Sequence, residues 1–396
     1  MTASAAGRSS AQDGLALPMP ARPLALTHGF NGEAADRRAC ELAIRRGSKS
    51  FHLASMLLPR GQREAARALY AFCRNSDDLV DDPRASLASL DRLRVRLERI
   101  YAGDPAPLSC DRAFARAVRH HGIPRAAPNA LLDGFEMDLR GRRYETLGEV
   151  KEYATGVAAS VGVMMAMAMG ARSAQALARA ADLGIAMQLT NIARDIGEDA
   201  RNGRLYLPRD WLDEAGIDPA VFLAAPRFTP ALGAVVRRLL DEAEIHYRRG
   251  HAGIALLPRQ CQPAIRAAAL IYKAIGTQIA ENGHDSVNRR ARTTIAHKAA
   301  LLLRASQADA PDHASQALPA DPAAASLVAA AALAPAAPAG IAERGQTLAA
   351  AMHPAAGRDR GSVERVIVIL TALHARQSAR PPAGRPARDN GMTAHA

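Results

Sequence analysis

The stretch Gln188-Leu-Thr-Asn191-Ile-Ala-Arg194-Asp195-Ile-Gly-Glu198-Asp199 constrains the fold of this chain more than any other. On an α-helix Asn191, Asp195 and Asp199 fall at i, i+4 and i+8, one oxygen-bearing stripe, with Gln188 about one turn earlier. Ile192 and Ile196 occupy an adjacent face and suit burial, so the acids ride on a helix that must also pack on a core. A second cluster, Tyr70-Ala-Phe-Cys-Arg74-Asn-Ser-Asp77-Asp78-Leu-Val-Asp81-Asp82-Pro83, sets Asp77 and Asp81 on one face of a helix that Pro83 should stop. Like charges four apart destabilise a helix by a few tenths of a kcal/mol per pair, and acids near its C-terminus oppose the macrodipole. A solvated acidic face accounts for either cluster alone. Two Asp-x-x-x-Asp clusters facing across a helical bundle instead make a site for a hard divalent cation with oxygen ligands. Neither has the loop spacing or central glycine of an EF-hand. Mg²⁺ takes one or two carboxylates and leaves its other positions to water and phosphate, so the implied chemistry is diphosphate binding and ionisation.

The remainder of the chain is consistent with such a bundle. Over residues 33–305 of the 396, Ala/Leu/Arg-rich segments carry apolar residues three and four apart between short Pro/Gly breaks. Alternating β-branched runs are scarce, so the fold class is all-α. Residues 1–32 read as a flexible leader. Residues 306–396 read as an Ala/Pro-rich, largely disordered tail. One island in it, Ser362–Arg376, has an apolar helical face that could dock on the main domain or lie on a membrane. Basic residues number 51 against 39 acidic, a net charge of +12, and only Lys49, Lys151, Lys273 and Lys298 are lysines. This arginine excess suits a solvated basic surface as well as one facing phosphates or anionic lipid, and does not in itself establish a nucleic-acid binder. The four cysteines stand far apart, which argues against a zinc site or a disulfide framework. The apolar run Tyr153–Ala171 contains three glycines and is short for a membrane span, so it reads as a buried helix. With no signal-peptide pattern, the expected compartment is the cytoplasm.

The motif blocks resemble the squalene/phytoene synthase family, most closely its bacterial phytoene synthases. They are Ser48-Lys-Ser50-Phe51, Tyr70 through Asp82, Gly156-Val-Ala-Ala-Ser-Val-Gly162, and Leu183 through Gln188 to Arg204-Leu-Tyr206-Leu-Pro208, with a further match from Ala269-Leu-Ile-Tyr272 to Arg290. The resemblance covers about residues 33–305. It implies a single isoprenoid-synthase-type helical bundle around a deep apolar channel. It also implies head-to-head joining of two geranylgeranyl diphosphates through a cyclopropylcarbinyl diphosphate to phytoene, with release of diphosphate, the first committed step of carotenoid synthesis. By the same resemblance Asp77, Asp81, Asp195 and Asp199 are the catalytic, Mg²⁺-binding residues, with Asn191 a further metal ligand. Ser48, Ser50, Tyr70, Arg74, Asp138, Gln188, Asn191, Arg194, Tyr272 and Arg290 hold substrate. The cofactor is Mg²⁺, with Mn²⁺ as a substitute, and NADPH is not expected for phytoene formation. One departure is visible: many members carry an aromatic residue where this chain has Thr155.

Three alternatives remain at this level. A family relative using fifteen-carbon farnesyl diphosphate would make dehydrosqualene, squalene or hydroxysqualene. Head-to-tail elongating synthases and terpene cyclases share the Asp77-Asp78-Leu-Val-Asp81 pattern, but their second motif differs from Asn191-x-x-x-Asp195-x-x-x-Asp199. A non-catalytic relative would typically have lost the metal ligands, and all four aspartates are present. Because the product is so apolar, the enzyme is expected to act peripherally at the inner face of the membrane, alongside other carotenoid-pathway enzymes, and to bind no nucleic acid.

Overall fold

A 28-residue helix, Ala174–Arg201, forms the axis around which the other helices pack. The computed structural model describes residues 32–335 apart from Asp309. In chain order the helices are α1 (Gly32–Gly47), α2 (Lys49–Ser55), α3 (Arg60–Val80), α4 (Leu87–Ala102), α5 (Ser109–His121) and α6 (Ala126–Leu139). They continue with α7 (Leu147–Ala154), α8 (Ser160–Ala168), α9 (Ala174–Arg201), α10 (Arg209–Glu214), α11 (Pro219–Ala224) and α12 (Pro230–Ala252). The last are α13 (Gln262–Glu281), α14 (Ile295–Ala305), α15 (His313–Ala317) and α16 (Ala325–Ala332). There is no strand among the described residues, and the all-α class holds.

Small residues bring the backbones around α9 close together. At Gly184 a Cβ would stand 2.5 Å from Ala159 Cα, and at Gly197 it would stand 2.6 Å from the Val287 carbonyl oxygen. Both positions therefore require glycine for space alone. The run Tyr153–Ala171 is buried helix, as expected, but a π-helical turn at Thr155–Ala159 separates α7 from α8. Such turns re-aim one helical face relative to the next. Beyond the turn Val163, Met164 and Met167 are fully buried, each worth about 1.5–3 kcal/mol in area removed from water.

Much of the arginine excess is used inside the fold. The buried Asp36 carboxylate takes Arg112 at 2.6 Å and Arg116 at 2.9 Å, and the buried Asp111 takes Arg96 at 2.5 Å. Buried carboxylates need such partners, and the fork of arginine supplies two hydrogen bonds at once.

The chain departs from expectation after residue 305. As far as residue 335 the Ala/Pro-rich text stays folded: α15 and α16 pack on the bundle, and Leu327, Val328 and Ala331 are buried. The reason is polar anchoring by distant partners rather than apolar bulk within the segment. Lys151 pairs with Asp321 at 2.9 Å, and Arg249 donates to the Pro319 carbonyl at 2.6 Å. Nearly all of the proposed leader, and the Ser362–Arg376 island, lie outside the described residues.

Candidate active site

The two acidic motifs are carried to one place by α3 and α9. Helix α3 runs to Val80 and leaves Asp81 as its C-cap, so Asp77 lies in the last turn and Asp81 at the end. Asp195 and Asp199 lie in the last two turns of α9. All four line the mouth of a cavity of about 1100 Å³. The wall below them is apolar, built from Val161, Met165, Ala180, Leu183 and Met187 among others.

Every site residue expected from the sequence lines this same cavity: Ser48, Ser50, Tyr70, Arg74, Asp138, Gln188, Asn191, Arg194, Tyr272 and Arg290 join the four aspartates. Ser48 also caps α2, its hydroxyl accepting from Phe51 N at 3.2 Å, so its capping and site positions coincide. Phe51 stacks on Tyr272 at 5.1 Å between ring centroids and tilts against Tyr70 at 6.3 Å. The His284-Asp-Ser-Val segment has an architectural task. Asp285 accepts from the backbone of Val287 and Asn288 and shapes the turn that delivers Arg290 to Asp195.

Arginines cover three of the four aspartates. Arg74 pairs with Asp77 at 3.1 Å, Arg204 with Asp81 at 3.0 Å, and Arg290 with Asp195 at 2.8 Å. Asp195 also takes Arg194 at 2.5 Å. Burial pushes Asp195 up, but these two guanidinium groups outweigh it and hold the carboxyl below its ordinary value. Among the described residues Asp199 has no such ion-pair partner. Burial, then the neighbouring Asp195 charge, push it up to about 7. Burial and Asp81 likewise raise Asp77 to about 6.

This crowding of carboxylates is the condition that a divalent cation relieves. The buried Asn191 Oδ1, which has no hydrogen-bond partner among the described residues, supplies another unused oxygen on the same stripe. The donor set therefore fits a hard cation. The aspartates do not form a finished cage. Among the described residues, no three His, Cys, Asp or Glu side chains stand close enough to hold an ion by themselves. Their arginine partners occupy part of the space between the two motifs, and Mg²⁺ typically completes its shell with water and phosphate.

Residues beyond the sequence-derived set also belong here. Tyr206 donates to Asp138 Oδ1 at 2.6 Å and Tyr153 to Oδ2 at 2.9 Å, with the two rings stacked 4.8 Å apart. Burial raises the Asp138 pKa in spite of both hydrogen bonds. Tyr206 and Arg204 stand in the same Arg-Leu-Tyr-Leu-Pro block, and that spacing was the available signal. Thr155 is buried and does not line the cavity; the aromatic presented nearby is Tyr153.

The family model for squalene/phytoene synthase matches residues 44–297. The phytoene synthase of Rhodobacter capsulatus is 51% identical over 271 residues, covering 68% of this chain and 80% of that one. The 15-cis-phytoene synthase of a Paracoccus species is 45% identical over 273 residues, covering 66% and 87%. A crystal structure of a dehydrosqualene synthase with ligand superposes with a TM-score of 0.64 at 30% identity, over 70% of this chain and 97% of that one. The chain belongs to the squalene/phytoene synthase family.

Proposed function

We propose that the mouth of the cavity ionises prenyl diphosphates and that its apolar wall carries their tails. The overall activity is that of a phytoene synthase, a prenyltransferase of carotenoid biosynthesis that joins two geranylgeranyl diphosphates head to head, and the fifteen-carbon alternative is not favoured. The observation that supports the residue assignment is that one cavity joins the aspartates of both motifs and the arginines Arg74, Arg194, Arg204 and Arg290 to a long apolar wall.

Mg²⁺ held by Asp77, Asp81, Asp195, Asp199 and Asn191 would supply Lewis-acid neutralisation of the diphosphate charge. Arg74, Arg194, Arg204 and Arg290, now paired with carboxylates, are placed to hold diphosphate oxygens once those carboxylates take other partners. As the allylic C–O bond breaks, its electron pair leaves with the diphosphate. The C2–C3 double bond of the second substrate attacks the allylic cation, and proton loss closes the cyclopropane. A second ionisation, rearrangement and proton loss form the central conjugated triene. The Met-, Ala- and Gly-rich wall is apolar and excludes water that would trap either cation. The Tyr153 and Tyr206 rings offer faces that stabilise positive charge, and Asp138 fixes both phenols.

The test is product analysis of the full chain with Mg²⁺, offered geranylgeranyl and farnesyl diphosphate separately, with and without NADPH. Forty-carbon phytoene without NADPH is expected; thirty-carbon products alone would overturn the substrate assignment. The expected working place is a membrane surface. Among the described residues no helix is long and apolar enough to cross a membrane, and a net charge of +12 favours anionic lipid. In flotation at low salt the full chain should rise with vesicles rich in anionic lipid and stay down with neutral ones. Equal behaviour with both would remove the electrostatic argument.

A further inference from the structure

We infer that the outer side of the contact between α1 and α3 holds a second anion site, apart from the acidic mouth, and that its ligand is a phosphate dianion, free or on the headgroup of a lipid. A cavity of about 510 Å³ lies there, lined from α1, α3 and α5. It shares no lining residue with the larger cavity, and the two stand back to back. On α1, Arg45 lines the smaller cavity while Ile44 and Arg46 line the larger. On α3, Arg67 and Ala68 are divided from Ala66 and Leu69 in the same way.

Charge sets this cavity apart. At the mouth Arg74, Arg194, Arg204 and Arg290 are each paired with a carboxylate. Here Arg38 and Arg45 stand three and four residues from Glu41 on one face of α1, the spacing at which helical ion pairs form. Glu41 instead pairs with Arg67 on α3, at 3.3 Å. Arg38 and Arg45 are left with no carboxylate partner among the described residues. The other charged residues of the lining are answered elsewhere, Arg37 by Glu33 at 2.6 Å and Glu64 by Arg60 at 3.1 Å. The side chain of Arg67 is 14% exposed, and its Nε is buried without a hydrogen-bond partner among the described residues. A buried N–H left unpaired costs free energy that a bound acceptor recovers.

Two unanswered positive charges beside a buried donor match phosphate, which near neutral pH carries close to two negative charges and presents strong acceptor oxygens. The guanidinium fork suits those oxygens better than an ammonium would. Beneath the arginines Cys40, Ala68 and Ala113 form a buried floor. Burial pushes the Cys40 thiol up to about 11, so it stays neutral and adds no competing charge. An anion bridging Arg38 and Arg45 to Arg67 would tie α1 to α3, the helix that carries Asp77.

The Arg67 Nε–H resonance of the isotope-labelled full chain, identified by its absence from R67K, reads the site directly. Titration with inorganic phosphate at about pH 8, where the dianion prevails, should shift it saturably, beyond any shift caused by sodium chloride of equal ionic strength. R38Q/R45Q breaks no ion pair and keeps helix propensity, and should raise the apparent Kd about tenfold or more through the loss of two charge-assisted contacts. A resonance that moves no more with phosphate than with chloride overturns the inference, and so does an equal Kd in the folded double variant. Should the double variant not fold, an equal Kd in R45Q overturns it. Flotation separates the two sources of phosphate. The vesicles are phosphatidylcholine with either phosphatidic acid or an equal share of phosphatidylglycerol. A surplus on phosphatidic acid that R38Q/R45Q loses assigns the site to a lipid headgroup; equal flotation on both, with the saturable shift present, assigns it to free phosphate.

Discussion

Replacing Asp199 with asparagine should lower turnover of geranylgeranyl diphosphate by about a thousandfold while making the metal-free protein more stable. The first effect follows from losing one anionic ligand where leaving-group charge must be neutralised, a loss comparable with removing a key electrostatic group from other active sites. The second follows from its environment. Burial and Asp195 raise the Asp199 carboxyl to about 7, above the ordinary aspartate value of 3.8. The folded state therefore favours the protonated form. That contribution to stability is fully present below about pH 4 and is lost as pH rises through 7. Asparagine removes the charge at every pH. In EDTA, the gain in stability of the variant over wild type should be small near pH 4 and level off above pH 7. It should reach about 1–2 kcal/mol once solvent screening is allowed for. Added Mg²⁺ should then stabilise the wild type more than the variant. Thermal melts across that pH range read the second effect and steady-state kinetics the first. A metal-free variant less stable than wild type at pH 8 would refute the crowding account, and a loss of turnover below tenfold would remove Asp199 from the catalytic set.

Gly184→Ala should destabilise the fold by about 3 kcal/mol, although it adds a single methyl group. The new Cβ would meet Ala159 Cα at 2.5 Å and the Ala158 carbonyl oxygen and Ala159 N at 2.7 Å. These are backbone atoms of the π turn, which cannot swing aside as a side-chain terminus would, so the cost lies at the upper end of the range for overpacked cores. Activity should fall as well, because α9 and α8 line the cavity on either side of this contact. Gly61→Ala serves as the control. Nothing lies within 4 Å of its added Cβ, it lies in the first turn of α3, and helix propensity makes the change neutral to slightly stabilising. Urea denaturation of both variants tests the contrast, and equal midpoints would contradict it.

The reach of the sequence differs between local and distant features. Asn191, Asp195 and Asp199 could be placed on one stripe because helix geometry depends only on spacing, and Ile192 and Ile196 showed that the helix is half buried. The motif blocks extended that reading to Tyr272 and Arg290 through family resemblance. Pairings between distant residues were not legible. The ion pair of Arg204 with Asp81 joins positions 123 residues apart, and nothing local to either announces it. The pairing of Asp138 with Tyr153 and Tyr206 likewise needs three elements assembled at once. The folded stretch from residue 306 to 335 differs from what its composition suggests, because composition reports the apolar surface that a segment brings, not the anchors that wait for it elsewhere. Lys151, Arg179 and Arg249 lie in the body of the bundle, and each grips that stretch. The π turn at Thr155–Ala159 has no sequence rule of comparable strength.

Because α9 is unbroken from Ala174 to Arg201, the acidic mouth and the apolar wall of the cavity are carried on one rigid rod. Loops and neighbouring helices can breathe without altering the spacing between Asp195 and Gly184, about three turns apart on one face, since hydrogen bonds within a single helix maintain it. Deleting one residue between the two positions would turn one end of the rod by about 100° relative to the other, so a change of one residue in its length cannot keep both the acids and the wall facing the cavity.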